Sequence, residues 1–179
     1  MTTTETLKFL FLLIVFLGSH AHAKWTYNEE DRLGTVVVSA VSERVSPEKS
    51  LGHPYNKLQA SINYSCGKQG ESLSIMFSDK LPLVHVKHNE HDSSFVDIQI
   101  QFDDDPHTIQ MEVIPQSKGV SFPNRTRYIN KIIEYSSASV TVVIKDTSPA
   151  HFTFDLTEAY NVINKAQKAC IELQKIRYQ

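Results

Sequence analysis

Residues 151–170 of the chain read HFTFDLTEAYNVINKAQKAC, and this stretch contains the two periodicities that decide the fold. Phe152 and Phe154 alternate with polar neighbours, which is the period of two expected of a half-buried strand. From Ala159 onward, apolar residues return at steps of three and four, which is typical of a helix with one buried face. The stretch therefore predicts a strand that leads into a terminal helix packed on the sheet.

The start of this predicted helix has a D-x-x-E capping signature, formed by Asp155 and Glu158. Cys170 belongs to the helix's apolar stripe and is therefore expected to face the sheet. The stripe consists of Ala159, Val162, Ile163, Ala166, Ala169, Cys170 and Leu173.

The chain has two cysteines, and the other one, Cys66, follows a second clear strand pattern at residues 58–65. The alternation there places Cys66 on the same side as the apolar residues of that strand. In an oxidising compartment two cysteines are expected to pair, so we predict a bridge between Cys66 and Cys170. Such a bridge would attach the terminal helix to a core strand. The alternative is two buried free thiols.

The remaining patterns predict about eight strands, joined mostly by short turns, and one further helix in NRTRYINKIIEY at residues 124–135. The sequence therefore predicts an α+β fold, with β-dominated antiparallel sheet or sheets, a C-terminal helix packed on the sheet and a second short helix. The predicted strands are residues 35–42, 58–65, 72–77, 83–87, 95–102, 108–114, 139–145 and 151–155.

The N-terminal segment has the features of a secretory signal peptide. Residues 9–17 (FLFLLIVFL) form an unbroken apolar run after Lys8. That run is shorter than the roughly 20 residues that a membrane helix requires. We predict a signal peptide at residues 1–23, with an uncleaved N-terminal anchor as the alternative.

The sequence Ala21-His22-Ala23 is an A-x-A cleavage site, so the mature chain is expected to begin at Lys24. Residues 24–179 then form a single globular domain in the periplasm. No second long apolar run follows, so the mature form is not expected to span a membrane.

Charge and motifs exclude several classes of function. The chain has 18 Lys and Arg against 20 Asp and Glu, for a net charge of −2, whereas a nucleic-acid partner requires a concentrated basic face. Zincin, P-loop, nucleophile-elbow and dinucleotide motifs are all missing from the sequence. We therefore predict no catalytic residues, no cofactor and no nucleic-acid partner.

Two clusters could hold a metal ion. In HVKHNEHD, residues 85–92, His85, His88 and His91 recur at a spacing of three. On a strand, odd spacing divides side chains between two faces, whereas zinc requires three or four converging ligands. We therefore predict that residues 85–92 form a polar hairpin. The alternative is a metal site. The carboxylates of residues 103–105 are similarly predicted to form a turn, with calcium as the alternative.

Several of these features together resemble the exported TagO/VasI accessory proteins of type VI secretion. The resemblance rests on the early Trp25, the INYSC strand that ends in Cys66, IQFDDD at residues 100–105 and the stretch 151–170. It implies the pairing of the last cysteine with the upstream one and no enzymatic mechanism. The matching positions are Cys66, Phe152, Phe154, Ala159, Ile163 and Cys170.

The sequence departs from the family's pattern at three places. Phe102 stands where an arginine is expected, Thr157-Glu158 replaces a glycine-leucine pair, and Ile171 replaces a tryptophan. These departures mark a distant relative.

The first functional hypothesis is an exported periplasmic, non-enzymatic protein that acts by binding another periplasmic or secretion-apparatus protein, as a type VI secretion accessory. The first alternative is an immunity protein that neutralises a toxin or hydrolase in the periplasm. The second alternative is a metal-assisted hydrolase that uses His85, His88 and His91.

Overall fold

The computed structural model describes residues 25–31, 35–68, 70–115 and 118–176. The predicted signal peptide, and the cleavage site between Ala23 and Lys24, lie outside the described residues. Within the described ranges, ten antiparallel strands and two helices form a β-dominated α+β fold, as the sequence predicts. Neither helix in these ranges combines the length and the apolar composition that crossing a bilayer requires.

The helices are α1 (Arg125–Glu134) and α2 (Ala159–Ile176). The strands are β1 (Thr26–Asp31), β2 (Val36–Val41), β3 (Ala60–Gly67), β4 (Gly70–Phe77), β5 (Lys87–His88), β6 (Ser94–Phe102), β7 (Asp105–Val113), β8 (Gly119–Ser121), β9 (Ser137–Val142) and β10 (Ala150–Asp155).

The sheet order is β1-β2-β3-β4-β8-β7-β6-β9-β10, and β5 pairs with β6 off this path. The sheet curls so that the two halves of its apolar face pack against each other. Phe77 of β4 and Phe152 of β10 pack with ring centroids 6.0 Å apart, although four strands separate β4 from β10 in the sheet order. The hydrophobic core therefore lies inside the curve, and the polar face of each strand lies outside.

Hydrogen bonds bring the two ends of the curled sheet together. The indole Nε1 of Trp25, beside β1, donates to the carbonyl oxygen of Asp155 at 3.1 Å. The amide of Glu48, in the connection from β2 to β3, donates to the carbonyl oxygen of His151 at 2.9 Å. Both acceptors belong to β10, so its outer edge is partly covered.

Helix α2 covers the apolar face of β1, β2 and β3. Its buried residues Ala159, Ile163, Ala166 and Cys170 follow the predicted stripe. Cys170 forms a disulfide with Cys66 of β3, with the two Cα atoms 5.8 Å apart. The predicted bridge is therefore present, and it attaches the terminal helix to a core strand.

Helix α2 does not begin where the D-x-x-E signature predicts. Helix α2 begins at Ala159, four residues after Asp155. The carboxylate of Asp155 instead accepts hydrogen bonds from the backbone N–H of Thr157 at 2.8 Å and from its hydroxyl at 2.7 Å. Asp155 therefore stabilises the turn between β10 and α2, because its side chain reaches a backbone group two residues ahead.

Short β8 pairs with both β4 and β7, and side chains of α1 reach both of these strands. Arg125 of α1 donates to the carbonyl oxygen of Glu71 on β4. Lys131 of the same helix lies 2.9 Å from the carboxylate of Asp105 on β7. Gly119 is required where β8 meets β4, since a Cβ atom there would lie 2.7 Å from the carbonyl oxygen of Ile75.

The predicted strands differ from the structure at three places. The strand expected at residues 83–87 is reduced to β5, because His85 has a φ of 56° and turns the chain. Strand β1 is absent from the predicted strands, because its mostly polar, exposed residues lack a buried alternation. Strand β8 has only three residues and was not predicted.

We expect Cys170→Ser to lower the free energy of unfolding by about 2–4 kcal/mol, because the bridge closes a long loop in the unfolded chain. Urea unfolding of the oxidised protein measures this difference. Ile171→Ser is the matched control, since Ile171 is 51% exposed on the same helix and its loss should change stability little. Two thiols that react freely with an alkylating agent in the native protein would contradict the bridge.

Candidate functional site

The outer face of β7, β6, β9 and β10 forms an open groove with a volume of about 530 Å³. Its lining is mostly polar, although the same strands bury apolar side chains on their inner face. The lining residues are Glu48, Gln99, Ile100, Gln101, Pro106, His107, Thr108, Ser139, Thr141 and His151. We call this surface the polar groove.

The register of the strands arranges these side chains in two rows. In the first row Gln99 of β6 lies between Thr108 of β7 and Thr141 of β9, and Thr141 faces His151 of β10. Neighbouring strands are about 4.8 Å apart, so a row of four residues spans about 14 Å.

The second row lies two residues further along each strand. Gln101 of β6 lies between Pro106 of β7 and Ser139 of β9, and Ser139 faces Thr153 of β10. The two rows are about 7 Å apart along the strands. The groove floor is therefore a grid of amides, hydroxyls and one imidazole, with the ring of Pro106 at the β7 end of the second row.

Hydrogen bonds between strands order the β9 and β10 side of the grid. Nδ1 of His151 lies 2.9 Å from the hydroxyl oxygen of Thr141. The hydroxyls of Ser139 and Thr153 are 3.1 Å apart. Thr153 also donates to the carboxylate of Glu48 at 2.8 Å, and this bond holds the Glu48 side chain against the groove wall.

The chemistry of the lining suits recognition through hydrogen bonds. Glu48 is the one carboxylate among the lining residues, and none of them is Lys or Arg. Glutamine side chains both donate and accept, and hydroxyls do the same. In this part of the described chain His151 pairs with Thr141, and Ser139 pairs with Thr153.

A second cluster joins β7 to α1 beside the β6–β7 turn. The carboxylate of Asp105 lies 2.7 Å from Nε2 of His107 and 2.9 Å from Nζ of Lys131. Nζ of Lys131 is also 2.9 Å from the same ring nitrogen. Lys131 packs over the rings of Phe102 and Tyr135, and its side chain is only 15% exposed.

The tautomer of the His107 ring decides which of these contacts are hydrogen bonds. A ring nitrogen either donates or accepts, so His107 Nε2 bonds to Asp105 when it carries a proton and accepts from Lys131 when it does not. The hydrogen bond to Lys131 lowers the pKa of Asp105, with His107 as a smaller cause. The same hydrogen bond to Asp105 raises the pKa of Lys131. The ion pair between β7 and α1 is therefore kept across the neutral pH range.

Asp103, at the turn between β6 and β7, binds the connection from α1 to β9. Its carboxylate accepts from the amides of Ser136 at 3.2 Å and Ser137 at 2.8 Å, and from the Ser137 hydroxyl at 2.9 Å. These hydrogen bonds, that of the Ser136 amide first, lower the pKa of Asp103. The carboxylates of Asp103 and Asp105 thus bind protein donors at different places, as expected of a structural turn.

The structure separates the three histidines of HVKHNEHD. His85 lies at a bend in the left-handed conformation, His88 lies in β5, and His91 lies in the loop that follows. Nδ1 of His88 is 3.0 Å from the hydroxyl of Ser94, and Asn89 accepts from the His91 amide at 3.0 Å. Within the described part of the chain, no group of three or more His, Cys, Asp or Glu side chains is placed to hold a metal ion.

Sequence reasoning missed both the polar groove and the cluster around Lys131. The alternation in β6 and β10 shows that Gln99, Gln101, His151 and Thr153 face away from the core. It does not show that β6 and β10 are both neighbours of β9, because that order depends on pairing between distant segments. Lys131 is visible in the sequence only as a polar position of a helix.

Neither a family model nor a curated protein matches the chain. Among solved structures, it is similar to invasion associated protein B from Bartonella henselae, with a TM-score of 0.50 and 13% identity. The match covers 87% of this chain and 96% of that one. At this identity the likeness shows the fold alone, and the resemblance to type VI accessory proteins stays a prediction.

We expect acid to weaken the native state partly through Asp103. Because the folded pKa is lowered, Asp103 stabilises the native state above its unfolded pKa, and this contribution is lost as pH falls through the folded pKa. The free energy of unfolding should therefore fall less steeply below about pH 4 in Asp103→Asn than in the unmodified protein. Denaturant titrations at several pH values test this, with Asp104→Asn on the same turn as the control. Equal slopes for all three proteins would contradict it.

We expect HVKHNEHD to behave as a polar hairpin. Changing His88 and His91 together to Ala should move the free energy of unfolding by less than about 0.5 kcal/mol, as is usual for surface changes. Added zinc should leave the melting temperature nearly unchanged, since a ligand specific to the native state would raise it. Stoichiometric zinc in the purified protein, lost in the double variant, would reverse this interpretation.

Proposed function

We propose that this chain is an exported periplasmic protein that acts by binding another protein through the polar groove, without catalysis of its own. The observation that carries the proposal is the ordered grid of neutral hydrogen-bonding side chains on the outer face of β6, β9 and β10. The export signal read from residues 1–23 supports the location.

The grid suits recognition because part of it is ordered before a partner arrives. Binding costs free energy when mobile side chains must be fixed. Here Thr141, Ser139 and Thr153 are already held by hydrogen bonds to neighbouring strands. The strands themselves are anchored by buried residues such as Val140 and Phe152. A partner can therefore meet these hydroxyls in positions that the core has set.

A protein is a better fit to this groove than a nucleic acid. Binding to nucleic acid depends on Lys and Arg that neutralise phosphates. The groove lining has neither residue type and includes the carboxylate of Glu48. Main-chain amides and polar side chains of a protein match donors and acceptors such as those of Gln99 and Gln101.

Within this class we favour an accessory of type VI secretion. The support is the sequence skeleton described above, in which a phenylalanine strand leads into a helix that ends in a paired cysteine. Strand β10 and helix α2 follow this order, with Phe152 and Phe154 buried and Cys170 bridged to Cys66, although α2 continues to Ile176. The partner would then be a component of the secretion apparatus.

Photo-crosslinking in living cells tests the proposal. We expect a photoreactive residue at position 99, inside the groove, to capture one partner protein. The same residue at position 110 should capture far less, because Gln110 is exposed on neighbouring β7 and does not line the groove. Thr141→Arg should abolish capture from position 99, since it fills the groove, whereas Gln110→Arg should not.

The identity of the captured protein separates the kinds of partner. A secretion-apparatus component supports the accessory role, and a toxin or hydrolase would instead indicate an immunity protein. Capture that is equal from positions 99 and 110, or unaffected by Thr141→Arg, would exclude the groove as the binding surface.

A further inference from the structure

The charge and dimensions of the polar groove also define what it binds. Resting on the proposed function, we infer that the groove takes an extended segment of the partner that carries a Lys or Arg side chain beside Glu48. The inference uses the groove's length, its hydrogen-bonding floor and the Glu48 carboxylate at its β10 side.

The groove has the length of a short extended peptide. Each row crosses four strands and therefore spans about 14 Å. An extended chain rises about 3.4 Å per residue, so about four residues cover one row. The second row, about 7 Å away, is within reach of side chains that leave such a segment on one side.

The floor offers partners for a peptide main chain. Every main-chain unit brings one donor and one acceptor, and a glutamine amide supplies both in return. Within the described ranges, the side-chain amide of Gln99 has no intramolecular hydrogen bond, and Gln101 uses one N–H to reach the carbonyl oxygen of Asp103 at 2.7 Å. The amide of Gln99, at the centre of the first row, is thus available to a ligand.

Negative charge is concentrated at the β10 side of the groove. The Glu48 carboxylate is exposed and is positioned by the hydroxyl of Thr153. With no Lys or Arg in the lining, this charge attracts a cationic side chain and disfavours phosphates and acidic peptides.

The contribution of this charge should be modest and sensitive to salt. The Glu48 carboxylate is exposed, and an ion pair in that setting changes an equilibrium by at most about fivefold. At 1 M salt the Debye length is about 3 Å, so the preference for a cation should largely disappear there. Affinity from the neutral grid should remain.

The experiment compares three blocked peptides that differ at one position: Gly-Ser-Lys-Ser-Gly, the same with norleucine for lysine, and the same with glutamate. Binding is followed by NMR through the side-chain amides of Gln99 and Gln101. We expect the lysine peptide to bind about three- to fivefold more tightly than the norleucine peptide, and the glutamate peptide to bind least tightly. In Glu48→Gln the lysine and norleucine peptides should bind with about equal affinity. The change of peptide and the change at Glu48 together form a double-mutant cycle, which isolates the interaction between lysine and Glu48.

Glu112→Gln is the matched control, because Glu112 is an exposed carboxylate on β7 outside the groove lining. It should keep the full preference for lysine. The inference is overturned if the lysine and norleucine peptides bind equally, if Glu48→Gln keeps the preference, or if no peptide perturbs the groove amides. Partner capture from position 99 that persists in any of these cases would show that the proposed function stands without it.

Discussion

The contact between helix α2 and strands β1 to β3 is the constraint on which the rest of the structure depends. Those strands present an apolar face that includes Tyr64 and Cys66, and α2 is the element that covers it. Burying a side chain such as Ile163 stabilises the native state by about 1.5–3 kcal/mol. The disulfide makes the contact covalent, so the helix cannot leave the sheet while the bridge is intact.

The strands that form the polar groove are held in place by the same hydrophobic core, which packs against their opposite face. Each strand of the groove alternates, so a buried residue such as Val140 stands between the groove residues Ser139 and Thr141. A site built on strands is held more firmly than one on loops, because packing fixes the backbone that carries it. Glu48 is the exception, since it lies in the connection between β2 and β3 and is attached to β10 by two hydrogen bonds.

The sequence predicted those features that depend on local periodicity. The stripe from Ala159 to Cys170 placed the terminal helix on the sheet, and the alternation before Cys66 placed the sulfur on the buried side. Features that depend on distant pairing were not predicted. The neighbours of β9 are β6 and β10, and only this order turns three polar strand faces into one groove. The bend at His85 was missed because a left-handed residue other than glycine leaves little trace in the sequence.

The disulfide also determines how the molecule responds to a protease. Its two cysteines are 104 positions apart, and every groove residue on β6, β7, β9 and β10 lies between them. These four strands therefore belong to a closed covalent ring. A single cut in any exposed turn of that ring opens it but releases no fragment, since both pieces stay joined through sulfur. Among the described residues that line the groove, only Glu48 lies outside the ring, so a cut between it and Cys66 would leave that wall of the groove attached to the floor by non-covalent contacts alone.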